Sequence, residues 1–286
     1  MVLVLGATGL LGRALMAEAR VRGLKATGAA RSGAEIALDV TDDTSLKSAL
    51  ERIRPTVVIN SVVLADFAKC EADPGLAMRV NARPAALLAE YCRMTDCRLA
   101  HISTDHFFTG DGPGLHDEEA PVRLVNEYAR SKYPGEAFAL TYSKALVVRT
   151  NIAGFRGWKK PTFAEWLVDV IERDEAITLF DDFYCSTMDV ASCAKAVFDL
   201  FDSGYFGRLN VASRTVCSKK IFAEALAKAM GRKLTGAQTG SVRKLQPARA
   251  ESLGLDVSRA ESVLGRRLPD LEEVVSTLAR SRKDAL

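Results

Sequence analysis

Val2-Leu3-Val4-Leu5-Gly6-Ala7-Thr8-Gly9-Leu10-Leu11-Gly12 opens the chain and decides how the rest is read. Four apolar residues in a row suit a strand buried on both faces of a parallel sheet. The glycines let the backbone turn tightly and bring its N–H groups against a pyrophosphate. A helical pattern from Arg13 to Arg22 follows, and a helix N-terminus carries favourable partial positive charge for an anion. The spacing is Gly-x-x-Gly-x-x-Gly rather than Gly-x-Gly-x-x-Gly. A glycine-rich turn without a ligand has the same composition, but strand, glycines and helix in this order are what a dinucleotide site needs. Gly6, Thr8, Gly9, Leu10, Leu11 and Gly12 are therefore the expected phosphate cradle.

Outward from that stretch, Leu24 to Ala30 reads as a second strand with the tip Ala29-Ala30-Arg31-Ser32. An acid at this tip holds a ribose 2′-hydroxyl, whereas arginine accommodates a 2′-phosphate. With no acid present, Arg31, with Arg13 to help, predicts NADP(H) in preference to NAD(H). Asp39 and Val40 are expected at the adenine edge, and Thr41-Asp42-Asp43 caps a helix running toward Arg54. Pro55 to Asn60 is a third core strand. Asn60, Ser61 and Val62 lie at its carboxyl end, where ligands of open α/β sheets collect. A long helical stretch from Gly75 to Thr95 contains Asn81, for which a structural partner is expected, and Pro84, expected to kink it. Arg98 to Ile102 is the next strand, tipped by Ser103-Thr104-Asp105, and a polar loop of roughly twenty residues follows, long enough to be functional.

Asn126-Glu127-Tyr128-Ala129-Arg130-Ser131-Lys132 comes next. On a helix, Tyr128 and Lys132 share one face. A phenol with a pKa of about 10 is a poor acid at neutral pH. An ammonium one turn away favours the phenolate and brings proton transfer to a carbonyl oxygen into the working range. The strand Ala145 to Arg149 then ends in Thr150-Asn151. Strand and helix alternate throughout this half, so the fold class is α/β: a Rossmann-type doubly wound parallel sheet with a smaller, interleaved C-terminal substrate-binding lobe. The dinucleotide domain is expected over residues 1–150, with about 187–212 returning to it, and the lobe mainly over 151–286. In that lobe Trp158-Lys159-Lys160-Pro161 leads into a helix, and further helices run from Met188 to Phe201 and from Ser218 to Met230.

Composition narrows the classes. The 286 residues carry 39 basic and 36 acidic side chains, a net charge of +3, which does not suggest a nucleic-acid binder. The run Arg280-Ser281-Arg282-Lys283 reads as a solvated tail. No apolar run approaches a membrane span, and the opening lacks a signal-peptide layout. Six scattered cysteines without Cys-x-x-Cys, and only three histidines, argue against zinc and for reduced thiols in the cytoplasm. No metal is expected.

Taken in order, Gly6-x-x-Gly9-x-x-Gly12, Val58-Ile59-Asn60, Val80-Asn81, Ser103-Thr104-Asp105, Tyr128-x-x-x-Lys132 and Arg149-Thr150 resemble the extended short-chain dehydrogenase/reductase superfamily. Within it the chain looks most like the dTDP-4-dehydrorhamnose reductase family. Ser103-Thr104-Asp105-His106-Phe107-Phe108-Thr109-Gly110 is similar to that family's S-T-D-Y-V-F-D-G. Asn126 to Glu136 is similar to its N-x-Y-G-x-S-K-x-x-G-E. The chain departs from the pattern at His106, where the family has Tyr. It departs again at Asp181 to Thr187, against D-Q-x-G-x-P-T, and at Arg249 to Leu255, against R-P-x-x-S-x-L. The resemblance implies an NADPH-dependent reductase of a keto group on a nucleotide-activated deoxysugar. Thr104, Tyr128 and Lys132 would be catalytic, and Tyr128 and Lys132 would also meet the cofactor. Ser103, Asp105, His106, Asn151, Trp158 and Arg249 would meet the substrate, in a cytoplasmic protein with a homodimer as the expected assembly. Two alternatives stay open: an NAD-dependent sugar-nucleotide epimerase or dehydratase, and a non-catalytic dinucleotide-binding regulatory subunit like that of methionine adenosyltransferase.

Overall fold

The opening run Val2–Leu5 is the strand around which a seven-stranded sheet is laid. A computed structural model describes residues 1–158 and 160–285, with side chains described as far as residue 282. Its contacts divide the chain into two units. Unit 1 holds Met1–Thr104, Leu124–Arg149 and Ala194–Leu209, and unit 2 holds Asp105–Arg123, Thr150–Cys193 and Asn210–Leu286.

In the large sheet the strands succeed one another as Gly207–Asn210, Ala145–Arg149, Arg98–Ile102, Val57–Asn60, Val2–Leu5, Ala26–Ala30 and Ile36–Ala37. The order reverses direction beside Val2–Leu5, which pairs in parallel with Ala26–Ala30 on one side and Val57–Asn60 on the other. That reversal is the switch point at which α/β sheets open a ligand crevice. Leu3, Val4 and Leu5 are wholly buried, which explains a strand with no polar residue. Leu46, Leu50, Leu88 and Cys92, from the helices Asp43–Ile53 and Arg83–Thr95, join Leu3, Leu5, Leu99 and Val147 in one apolar core. Asp42 caps the first of these helices by accepting from the N–H groups of Thr44 and Ser45.

Two local expectations change. The stretch 75–95 is not one kinked helix but two, Pro74–Asn81 and Arg83–Thr95. Pro84 lies in the first turn of the second helix, where its missing N–H costs nothing, so it starts that helix instead of bending a longer one. The connection before them is also helical, Phe67–Ala72, because Asp66 caps Lys69 N–H and Asp73 caps Leu76 N–H.

Unit 2 is built from shorter pieces. One sheet has the order Cys217–Ser218, Tyr184–Cys185, Ser252–Leu255, Leu115–His116. Two further pairs join Ile152–Ala153 to Met188–Asp189 and Ile177–Phe180 to Ala237–Gly240. The helix Phe163–Arg173 begins with a reciprocal cap between Thr162 and Glu165. Lys219–Ala229 begins on Ser218, whose hydroxyl accepts from Ile221 N–H. Lys159, part of the Trp158–Pro161 segment singled out above, lies outside the described residues.

Candidate active site

The cradle in unit 1 is shaped by steric limits. Gly6 sits at φ 79°, and a Cβ on Gly12 would lie 2.0 Å from Gly6 O. Only glycine permits both that turn and the close approach of the helix Leu10–Val21 to it. No side chain caps that helix, so its first-turn N–H groups are left for an external acceptor. Beside the turn, Ser61 donates its Oγ proton to Leu5 O at 2.7 Å, and Asn60 Oδ1 accepts from Val62 N–H at 3.2 Å. Asn60 also meets His101 through Nδ2 and Nδ1 at 3.2 Å. Arg31 is exposed and Val40 buried. Asp39 accepts from Thr41 N–H and Oγ1 at 2.9 and 2.8 Å. Those bonds to Thr41 hold its carboxyl below the usual range against a partial burial penalty, and nearby Arg31 adds to the effect.

Tyr128 and Lys132 ride on the helix Glu127–Leu140, which Asn126 caps by accepting from Ala129 N–H at 2.9 Å. Both side chains are buried, and the Tyr128 ring packs 4.8 Å from the ring of Phe67. Asn81 has the structural partner expected of it. Its Oδ1 accepts from Leu64 N–H at 2.8 Å, and its Nδ2 donates to Leu64 O and to Ser131 Oγ at 2.9 Å. Ser131 in turn donates to Tyr128 O at 2.8 Å. The loop after Asn60 is thereby tied to the turn that carries the phenol. Lys132 Nζ donates to Ile102 O at 2.6 Å, two residues before the buried Thr104. Burial pulls the Lys132 ammonium down to about 8, with Glu136 opposing.

Ser103, expected at the substrate, has a buried acid as its partner. Its Oγ donates to Glu136 Oε1 at 2.5 Å, so the hydroxyl is spent on a buried acid. Glu136 also accepts from Arg149 Nη2 at 2.9 Å and from Arg208 Nε at 3.1 Å.

In unit 2 the buried Asp105 accepts through Oδ2 from Asn151 Nδ2 at 2.6 Å. Thr187 donates to Asn151 Oδ1 at 2.8 Å, and Lys219 Nζ reaches Thr187 Oγ1 at 3.5 Å. That ammonium stands 4.5 Å from the centroid of the Phe163 ring and 5.6 Å from that of Phe183. His106 lies edge-on to Phe183 at 6.3 Å, with Nε2 3.8 Å from Asp105 Oδ1. Burial, and then the charges of Lys219 and Arg249, push its imidazole down to about 3, so it is neutral at working pH. Asp105, His106, Asn151 and Arg249 therefore gather about one polar cluster. Trp158 is 48% exposed and stacked with Arg156 at 3.8 Å.

The model of the RmlD substrate binding domain family matches residues 1–282. The chain belongs to that family. Among curated relatives, the probable low-salt glycan biosynthesis reductase of Haloferax volcanii is 28% identical, covering 98% of each chain. The dTDP-4-dehydrorhamnose reductase of Mycobacterium tuberculosis H37Rv is 33% identical over 76% of this chain and 71% of its own. Among solved structures, a dTDP-4-dehydrorhamnose reductase from Clostridium acetobutylicum superposes with a TM-score of 0.88 at 20% identity, covering 99% of each chain. One from Bacillus anthracis, in complex with NADP, gives 0.86 at 24% identity over 98% of each.

Membership in the RmlD substrate binding domain family accounts for the motifs of unit 1 and leaves two residues of unit 2 that the motifs do not single out. Thr187 ends the segment compared above with D-Q-x-G-x-P-T, so its place was visible but its bond to Asn151 was not. Lys219 belongs to no motif, and only the three-dimensional arrangement brings it to Thr187 and the aromatic rings. Among the described residues no cluster of His, Cys, Asp and Glu is fit to hold a metal ion, and no helix is long and apolar enough to cross a membrane.

Proposed function

We propose that this protein is an NADPH-dependent reductase of the short-chain dehydrogenase/reductase type, acting on a keto group of a nucleotide-activated deoxysugar. The observation that carries the reading is one buried helical face presenting Tyr128 and Lys132, with the Lys132 ammonium tied to Ile102 at the end of its strand, two residues before Thr104. The residues of unit 1 fit the cofactor. Gly6 and Gly12 leave room against an uncapped helix N-terminus, which suits a pyrophosphate. Arg31 is exposed where a 2′-phosphate would need it, and Asn60, Ser61 and Val62 close the strand end beside the cradle. NADPH, when bound, supplies hydride to the carbonyl carbon of the substrate.

The chain's own groups handle the proton and the charge. Tyr128 gives its phenolic proton to the oxygen as it becomes an alkoxide. Lys132 lies one turn along the same face, and its ammonium favours the phenolate left behind. Thr104 donates a hydrogen bond to the same oxygen, stabilising charge that grows only in the transition state. Asp105, His106, Asn151 and Arg249 in unit 2 orient the sugar nucleotide, with Thr187 and Lys219 completing that polar set. The six cysteines are free and buried, which suits work in a reducing compartment, and we place the protein in the cytoplasm.

The test is titration with NADPH and NADH, then turnover on a panel of nucleotide-linked 4-keto deoxysugars. NADPH should bind tighter, at least one ketone should be reduced, and Tyr128→Phe should lower kcat by about 10²–10⁴-fold with NADPH affinity kept. Full turnover in Tyr128→Phe would remove Tyr128 as the acid. Tight cofactor binding with no ketone reduced would replace the reductase reading by a regulatory one.

A further inference from the structure

Glu136 is a fully buried acid one helical turn beyond Lys132, on the same face of the helix Glu127–Leu140. Two guanidiniums hold it. Arg149 approaches with Nε at 3.0 Å from Oε1 and Nη2 at 2.9 Å from Oε2, and Arg208 with Nε at 3.1 Å. Ser103 donates to the same carboxylate at 2.5 Å, next in sequence to Thr104. A carboxylate accepting this many charge-assisted bonds is fixed in place. Glu136 thus sets a carboxylate one helical turn from an ammonium that burial pulls down, and it opposes that pull.

We propose that Glu136, clamped by Arg149 and Arg208, is a positioning residue that keeps Lys132 charged in its buried place and anchors the strand end bearing Thr104. The proposal rests on the reading of Lys132 given above. On the strand Arg98–Ile102, His101 is held neutral by burial and then by Lys132 itself, so it adds no charge. On the helix Phe67–Ala72, Cys70 packs with Tyr128, and burial raises its thiol to about 11, so it too is uncharged. Arg149 and Arg208 contribute positive charge from their strands, and Tyr128 lies one turn earlier on the same helix. The local balance is therefore one carboxylate against three cations. Its consequence is a sign rule: removing the carboxylate makes Lys132 easier to discharge, whereas removing one arginine makes it harder.

The experiment follows the Lys132 side chain by NMR in full-length protein labelled at lysine, its resonance identified as the one lost in Lys132→Met. Glu136→Gln should move its titration midpoint down by about one pH unit, and Arg208→Gln should move it up, in the opposite direction. A purely structural role for Glu136 would leave the midpoint in place. An unchanged midpoint in either variant, or a shift of both in one direction, overturns the proposal. Should Glu136→Gln fail to fold, the sign of the Arg208→Gln shift decides alone. The pH profile of ketone reduction is recorded beside it. If the midpoints move as stated while the reduction profile does not, the positioning role of Glu136 stands and the catalytic reading of Lys132 falls.

Discussion

Glu136 in unit 1 and Asp105 in unit 2 are both buried acids, and their described bonds differ. In unit 1 Glu136 is gripped by two guanidiniums and a serine hydroxyl. In unit 2 Asp105 accepts from the neutral amide of Asn151, which passes the bonding on to Thr187 and so to Lys219. The ionic clamp sits on strands of five and four residues in the large sheet and on a fourteen-residue helix, where few alternative geometries exist. Breaking a buried pair of that kind leaves an uncompensated charge, so its parts are hard to exchange one at a time. The amide chain sits on irregular segments at Asp105, Asn151 and Thr187 and on the start of the helix Lys219–Ala229. The difference teaches that the unit whose motifs are nearly intact holds this acid on regular elements, while the unit whose motifs are altered holds its acid on irregular ones. On the function proposed above, the proton chemistry asks for one fixed geometry, whereas recognition of a particular sugar is free to be rebuilt.

The largest effect that would sharpen this contrast is expected at Lys132. Lys132→Met should lower turnover by about 10²–10⁴-fold. It should also raise Tm at pH 7, because burial lowers the ammonium from 10.5 to about 8 and the charged form costs stability. The gain should be full below pH 8 and shrink between 8 and 10.5, where the unfolded chain still holds the proton that the native state has lost. A lower Tm at pH 7 would mean that the ammonium contributes more to the fold than it costs.

Next in size, Asn151→Ala cuts the neutral chain of unit 2. KM for the keto sugar should rise about tenfold with kcat changed much less, since the role proposed for Asn151 is to bind substrate and not to react with it. A fall in kcat with KM unchanged would place unit 2 in the chemical step and end the division of labour. Smaller again, Arg31→Ala should weaken NADPH by roughly fivefold and leave NADH unaffected, the arginine being exposed and its charge screened. Equal losses for both cofactors would show that it does not read the 2′-phosphate.

The smallest effect concerns His106, where the family has Tyr. Its imidazole is pushed from 6.5 to about 3 by burial and then by Lys219 and Arg249. The unfolded chain therefore binds a proton that the native state refuses, and stability should fall as pH drops below 6.5. His106→Tyr should flatten that acid limb, closing the Tm loss at pH 5 by roughly 2–4 °C. An unchanged limb would assign the acid sensitivity to His101 in unit 1, which burial also holds neutral.

The sequence by itself determined the large sheet, the cradle and the Tyr128/Lys132 pair. Those features follow from short-range rules: an apolar run, glycines at a strand end, a four-residue spacing on a capped helix. It also assigned Asn81 a structural partner, because an amide inside an apolar helix must find one. Tertiary structure alone decided the rest. Ser103 stands at a strand tip like its neighbour Thr104, yet its hydroxyl is turned to Glu136, thirty-three residues away. Lys219 carries no motif and reaches Thr187 only through folding, and Ala237–Gly240 and Ser252–Leu255 become strands without a β-branched pattern because partners elsewhere in the chain pair with them. Burial, ion pairing and strand partnership join residues far apart in the chain, and local pattern carries no record of such contacts.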